Sequence, residues 1–304
     1  MHVDRVDVGN VTFINSPENI IEPTARKAMD KILGTQSEAE NAWHYHMKER
    51  FDKHTIAIVA VDENDKAKAE AIAEKVIEQA LNVLRFYLSG LSENNPFFYK
   101  MFVGIEGTTY TGLTALLVVD EQQKKVTYQS SRRGTLYGYE LDQSTLDKMK
   151  DLHFEYVGEI LHKPEKQRRP LENNLITAID FFGAAMNAVE PRNSFINFII
   201  SLESALLTRH ERKKAQNISK WIILLFLTPS IKRRRLFEKV SGYYKIRSDI
   251  IHEGIDNVDE DSLYGLFYFT FQILIQLVPY TGLVDDKSKL RRKLYTELKA
   301  AGRI

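Results

Sequence analysis

Between Tyr243 and Gly254 the chain reads Tyr-Tyr-Lys-Ile-Arg-Ser-Asp-Ile-Ile-His-Glu-Gly, which sets an arginine and a histidine five positions apart in an otherwise apolar context. Arg247 offers a planar fork of donors that suits phosphate, and His252 can carry protons near neutral pH. On an unbroken helix five positions turn about 500°, so the two side chains would point about 140° apart. Gly254 is the residue at which a left-handed helix end costs least. His252 is therefore expected on the last turn or just past it, where the helical period no longer binds its direction. A guanidinium and an imidazole at the mouth of a helix end suit an anionic substrate, and together they can carry out RNA cleavage.

Two carboxylates accompany the pair. Asp249 lies between Arg247 and His252, and Glu203 is set into the apolar face of an upstream helix expected over 194–210. Each could orient the arginine or the histidine, or serve as a structural ion-pair partner. Ser248 reads as a hydrogen-bonding helix residue, because no arrangement around it would activate a nucleophile. At the start of the same helical segment, Lys232, Arg233, Arg234 and Arg235 form a basic run, and Lys245 follows. Positive charge at a helix N-terminus opposes the dipole, so binding to an RNA backbone is one use for it, and a solvated helix start the other.

These residues resemble the signature of HEPN domains, an arginine followed after four to six residues by a histidine, and most resemble the ApeA-like branch of bacterial defence proteins. The resemblance rests on the Tyr-x-x-Arg-Ser run into Ile-Ile-His, the helix over 195–207 before it and a long apolar helix after it, and covers roughly residues 170–282. Many members carry Asn, Asp or His directly after the arginine, where this chain has Ser248. The resemblance implies a metal-independent endoribonuclease acting in anti-phage defence or as a toxin, with no cofactor. It also implies a homodimer whose helical domains pair about a two-fold axis, so that both signatures face one cleft. RNA, with tRNA among its candidate forms, would be the substrate, with a protein trigger or antitoxin as regulator. Some HEPN domains are inactive, so the alternative is a dimerisation or binding module that senses or recruits a partner.

The rest of the chain must position this stretch. Its 304 residues suggest two domains, and a hydrophobic share of 43% with 11% aromatics is ample for packed cores. With no cysteine, disulfides, thiolate metal sites and a cysteine nucleophile are excluded, which fits a cytoplasmic setting; the first residues show no apolar leader segment. The net charge of +1 conceals an asymmetry: residues 160–304 hold 24 Lys plus Arg against 16 Asp plus Glu, and residues 1–159 hold 18 against 25. A basic half can approach a phosphate backbone.

Residues 1–55 read as polar and mixed, with short helices over 22–33 and 38–52. His44 and His46 diverge on a helix and make a poor metal pair. The apolar run 55–61 reads as a strand buried on both faces. An acidic turn, Asp62-Glu63-Asn64-Asp65, then leads into a helix over 66–89 that Gly90 should stop; the turn could hold a metal or simply cap the helix. Strands are expected over 97–103, 114–120 and 125–130, with an edge over 136–141 and glycine-rich turns over 104–112, followed by one amphipathic helix over 143–162. The charged, proline-bracketed segment 163–170 reads as the linker.

Beyond it the pattern is helical only, with helices over 171–188, 194–210, 217–227, 231–252 and 262–278 and a basic tail helix over 287–300. The run over 262–278 is shorter than a membrane span and contains Gln272 and Gln276, so it reads as the central helix of a bundle. The expected class is thus α+β, with an N-terminal mixed α/β domain over 1–165 for sensing or binding, followed by an all-α helical bundle over 170–304.

Overall fold

The computed structural model describes residues 5–14, 56–63, 65–92, 113–120, 125–132, 141–188, 190–208, 210–226, 230–254, 258–300 and 302. The expected helices over 22–33 and 38–52, the His44 and His46 pair, the strand over 97–103, the turns over 104–112 and the edge over 136–140 lie outside them.

The described residues are mostly helical and include two small antiparallel sheets. Strands β1 (Arg5–Val8) and β2 (Val11–Ile14) form a hairpin, and β3 (Ile56–Val59) adds to β2. Val6 and Val8 are buried while Arg5 and Asp7 point to solvent, the two-residue period of a sheet with one face on the core. Only Gly9 has positive φ in the Gly9-Asn10 turn, as a type II′ turn requires. This hairpin was not foreseen, although its alternating Val6, Val8, Val11 and Phe13 around Gly-Asn carry the signal for one. β3 corrects the expectation of burial on both faces: Ala57 and Val59 are only half-buried, and among the described residues β3 lies at the edge of the sheet. Strands β4 (Leu113–Asp120) and β5 (Lys125–Arg132) form the second sheet, pairing Leu113 with Arg132 and Asp120 with Lys125.

Helix α1 (Lys66–Leu91) is capped by Asp65, whose carboxylate accepts from the Lys68 N–H at 3.1 Å. Of the two uses weighed for the acidic turn, this is the cap. The helix runs through Gly90 rather than stopping there. A Cβ on Gly90 would lie 2.0 Å from the Phe271 ring, so the glycine serves close approach between helices.

The single helix expected over 143–162 is two, α2 (Gln143–Asp151) and α3 (Phe154–His162). His153 between them takes a left-handed conformation at φ 66°, and the Leu152 carbonyl accepts from the Tyr87 hydroxyl at 3.0 Å. The proline-bracketed segment after α3 is a tied turn. Arg168 donates from Nε to the Ile160 and Lys163 carbonyls, each at 3.0 Å, and from Nη2 to that of Leu161 at 3.1 Å. Lys163 reaches fully buried Glu172 at 2.7 Å, and Glu172 also accepts from the Arg169 N–H at 2.8 Å, supplying the carboxylate half of a capping box on the next helix.

The remaining helices are α4 (Pro170–Asn187), α5 (Pro191–Leu206), α6 (Lys214–Leu225), α7 (Ser230–Glu253), α8 (Glu260–Thr281) and α9 (Lys287–Ala300). Phe182 of α4 is fully buried, with ring centroids 5.0 Å from Phe86 of α1, 5.1 Å from Phe198 of α5 and 5.6 Å from Phe267 of α8. Truncating such an aromatic costs about 3–5 kcal/mol. One core of buried side chains runs from Val6 of β1 to Leu294 of α9, so α1 packs with the helices that follow residue 170.

Helix α8 is longer than expected, at 22 residues, and by length and composition alone could cross a membrane. Leu266, Ile273, Leu274, Leu277 and Val278 are buried in the core, which gives its apolar character a use inside the fold.

Candidate active site on helix α7

Helix α7 carries most of the residues singled out for chemistry. It is unbroken through Arg247 and His252 and ends at Glu253, with Gly254 left-handed at φ 67°. His252 therefore lies on the last turn, where it was expected. Its direction, however, remains bound by the helical period. The two side chains leave the axis about 140° apart, and no single point on one chain receives both.

Arg247 turns toward the core side of α7, the side shared by buried Val240 and Tyr243. It is half-buried, and its Nε is a buried donor with no hydrogen-bond partner among the described residues. Buried donors are almost always paired, because an unmet one costs about 1–3 kcal/mol.

One turn before Arg247, the Tyr244 hydroxyl donates to Glu203 Oε1 at 2.9 Å, and Lys214 Nζ meets Glu203 Oε2 at 2.5 Å. A single carboxylate thus joins α5, α6 and α7. Burial pushes the Tyr244 hydroxyl pKa well up; the Glu203 charge and hydrogen bond push it the same way, and the Arg247 charge opposes them. The phenol stays protonated and works as a donor. Of the two roles weighed for Glu203, its bonds are those of a structural partner: it holds Tyr244 and Lys214. Neither Tyr244 nor Lys214 had been assigned this role from the sequence. No local spacing signals it, because the bonds join side chains of three different helices.

Asp249 is half-buried and sits about 60° around the helix from His252 but about 160° from Arg247. As an i, i+3 neighbour it is placed to orient His252 and turned away from Arg247. Ser248 is exposed.

The basic run falls in the first turns of α7. Lys232, Arg234 and Arg235 are exposed and Arg233 is half-buried; Arg234 Nε donates to Glu238 at 2.9 Å. Lys245 is also exposed. Eighteen residues separate Arg234 from His252, five full turns, so the two project in the same direction about 27 Å apart, with Lys245 about 20° off that line. The helix presents an exposed stripe of Arg234, Lys245 and His252, while Arg247 lies on another side. Surface apolar groups are close in sequence: Ile251 on α7 and Tyr264 and Tyr268 on α8 are exposed. Among the described residues no group of three or more His, Asp or Glu side chains is placed to hold a metal ion.

In comparisons with known proteins the chain matches no family model, no curated protein and no solved structure.

Proposed function

We propose that the chain is a metal-independent endoribonuclease of the HEPN type, working as a homodimer in cytoplasmic defence or as a toxin. The observation that carries this reading is the exposed cationic stripe on α7, which ends at His252 on a glycine-terminated helix. Arg234 and Lys245 would follow the phosphate backbone and His252 would meet the reacting ribose, with Lys232 and Arg235 on other faces of the first turns, open to neighbouring phosphates. A base takes the proton of the 2′-hydroxyl, whose oxygen bonds to the adjacent phosphorus. The bond to the 5′-oxygen then breaks, and that oxygen receives a proton. The ends formed are a 2′,3′-cyclic phosphate and a 5′-hydroxyl, and the chemistry asks for no metal.

Arg247 stabilises the charge gathered on the phosphate in the transition state. Because Arg247 and His252 diverge on one helix, the reading needs the Arg247 of one copy near the His252 of another. Because the Nε of Arg247 is buried, the phosphate would be met by the terminal nitrogens of the guanidinium. Ile251, Tyr264 and Tyr268 supply exposed apolar surface for a self-complementary face.

The same divergence, with Glu203 spent on Tyr244 and Lys214, favours a second reading in which the helical bundle only dimerises and recruits a partner. Incubating purified protein with RNA and determining the chemistry of the ends separates the two. Cyclic phosphate ends that vanish in His252→Ala support the nuclease, and intact RNA with a preserved dimer supports the recruiting module.

A further inference from the structure

A cleft of about 310 Å³ opens far from α7 in sequence, where the β1–β2 turn, α1 and the end of α3 meet. Gly9 shapes it: at this position a Cβ would lie 2.6 Å from Leu161 Cβ, so only a glycine lets the turn close against α3. One wall is a stripe of α1, with Ile72, Lys75, Val76 and Gln79 at three- and four-residue spacing. The other is the chain from Leu161 to Glu165 together with Arg168.

The polar lining is rich in donors. Among the described lining residues Lys75, His162, Lys163 and Arg168 stand beside one carboxylate, that of Glu165, while Glu172 and Asp180 lie behind the lining, and the charges of all three carboxylates reach Arg168. The end of a helix would ordinarily offer bare carbonyls to an anion. Here Nε and Nη2 of Arg168 cover those of Ile160, Leu161 and Lys163, which also fixes the guanidinium and leaves its Nη1 outside these bonds. Lys163 is held at the rim by Glu172, and Gln79 by Asp180 at 3.1 Å, so two further polar groups are oriented before anything binds. Beside them Val8, Ile72, Val76, Leu161 and Pro164 form an apolar side, and Ile72 is an unusually exposed large aliphatic at 43%. The volume suits a small molecule and excludes a folded partner.

We propose that this cleft binds a small molecule with a phosphate group and an apolar or planar body, of the size of a nucleoside monophosphate. Lys75 and Arg168 take the phosphate, and the Ile72, Val76 and Pro164 side covers the body. This site does not depend on the nuclease reading.

The test is calorimetric titration of the full chain with adenosine monophosphate and with inorganic phosphate, comparing Lys75→Glu and Ile72→Ser. Both positions are exposed, so circular dichroism is expected to show an unchanged fold. The wild type is expected to bind the nucleotide, and Lys75→Glu to weaken both probes by about tenfold or more. Ile72→Ser is expected to weaken the nucleotide several-fold while sparing inorganic phosphate. Failure of the folded wild type to bind either probe, or equal binding by Lys75→Glu, overturns the proposal. Inorganic phosphate binding as tightly as the nucleotide overturns the assignment of the apolar side. His252→Ala is expected to bind as the wild type does, which keeps a failure here distinct from a failure of the nuclease reading.

Discussion

The Tyr244 hydroxyl donates to Glu203 Oε1 at 2.9 Å, fastening α7 to α5 one turn before Arg247. The carboxylate is simultaneously held by Lys214, so three helices meet at one carboxylate and the arginine emerges one turn beyond it. Tyr244→Phe removes one bond to a charged acceptor and is expected to lower stability by about 2 kcal/mol. Thermal denaturation measures that loss. A melting temperature equal to that of the wild type would mean the contact contributes nothing to the placement of α7.

Arg247 matters in the nuclease reading through its fork of donors as well as its charge. Arg247→Lys keeps the charge but loses the planar geometry, so its cleavage rate is expected to fall about a hundredfold or more, approaching that of Arg247→Ala. Single-turnover assays on one RNA substrate check this. A lysine variant with wild-type rates would reduce Arg247 to a point charge.

Gly90 lies inside α1, where alanine would ordinarily gain about 1 kcal/mol of helix propensity. The Phe271 ring reverses the sign: a methyl group there would sit 2.0 Å from it. Gly90→Ala is expected to destabilise the fold by about 1–3 kcal/mol, measured by urea denaturation. A stabilised variant would show that α8 shifts without cost.

Lys287 is buried at the start of α9, and its ammonium donates to the carbonyls of Ser204 and Leu207 at 2.8 and 2.5 Å, closing the end of α5. Burial lowers its pKa from 10.5 to about 8, opposed by the charge of Glu211. Between about pH 8 and 10.5 the unfolded chain holds this proton while the folded chain gives it up, so the contribution of this group to stability rises with pH. The full span is worth on the order of 3 kcal/mol. In Lys287→Met the rise is expected to disappear, which comparison of the two stability curves across that window will show. Parallel curves would mean that the folded chain keeps the proton.

The helical half was largely legible in the sequence. Helix α9 has the bounds its pattern implied, and α7 differs by one residue at each end, because apolar periodicity, Pro229 and Gly254 punctuate it strongly. Around the sheet the reading was weaker. The β1–β2 hairpin has four-residue strands whose alternation around Gly9-Asn10 was legible, but the pair merges into the polar stretch that follows it. The break at His153 rests on a left-handed non-glycine residue that local propensity disfavours, stabilised in part by Tyr87 from a distant helix. Gly90 was read as a stop because its true neighbour, Phe271, is 181 positions away. At the site, the residue types on α7 were visible, but the commitment of Glu203 to Tyr244 and Lys214 is tertiary, and no local spacing encodes it.

The central claim is that His252 moves a proton during RNA cleavage. Loss of a positioned proton carrier costs about 10²–10⁴-fold in rate. Mapping RNA ends after incubation with wild type and His252→Ala tests it most directly. The wild type is expected to leave 2′,3′-cyclic phosphate and 5′-hydroxyl ends, which nearly disappear in the variant while the dimer stays intact. Equal cleavage by both proteins, or no cleavage by a folded dimeric wild type on total cellular RNA, would contradict it.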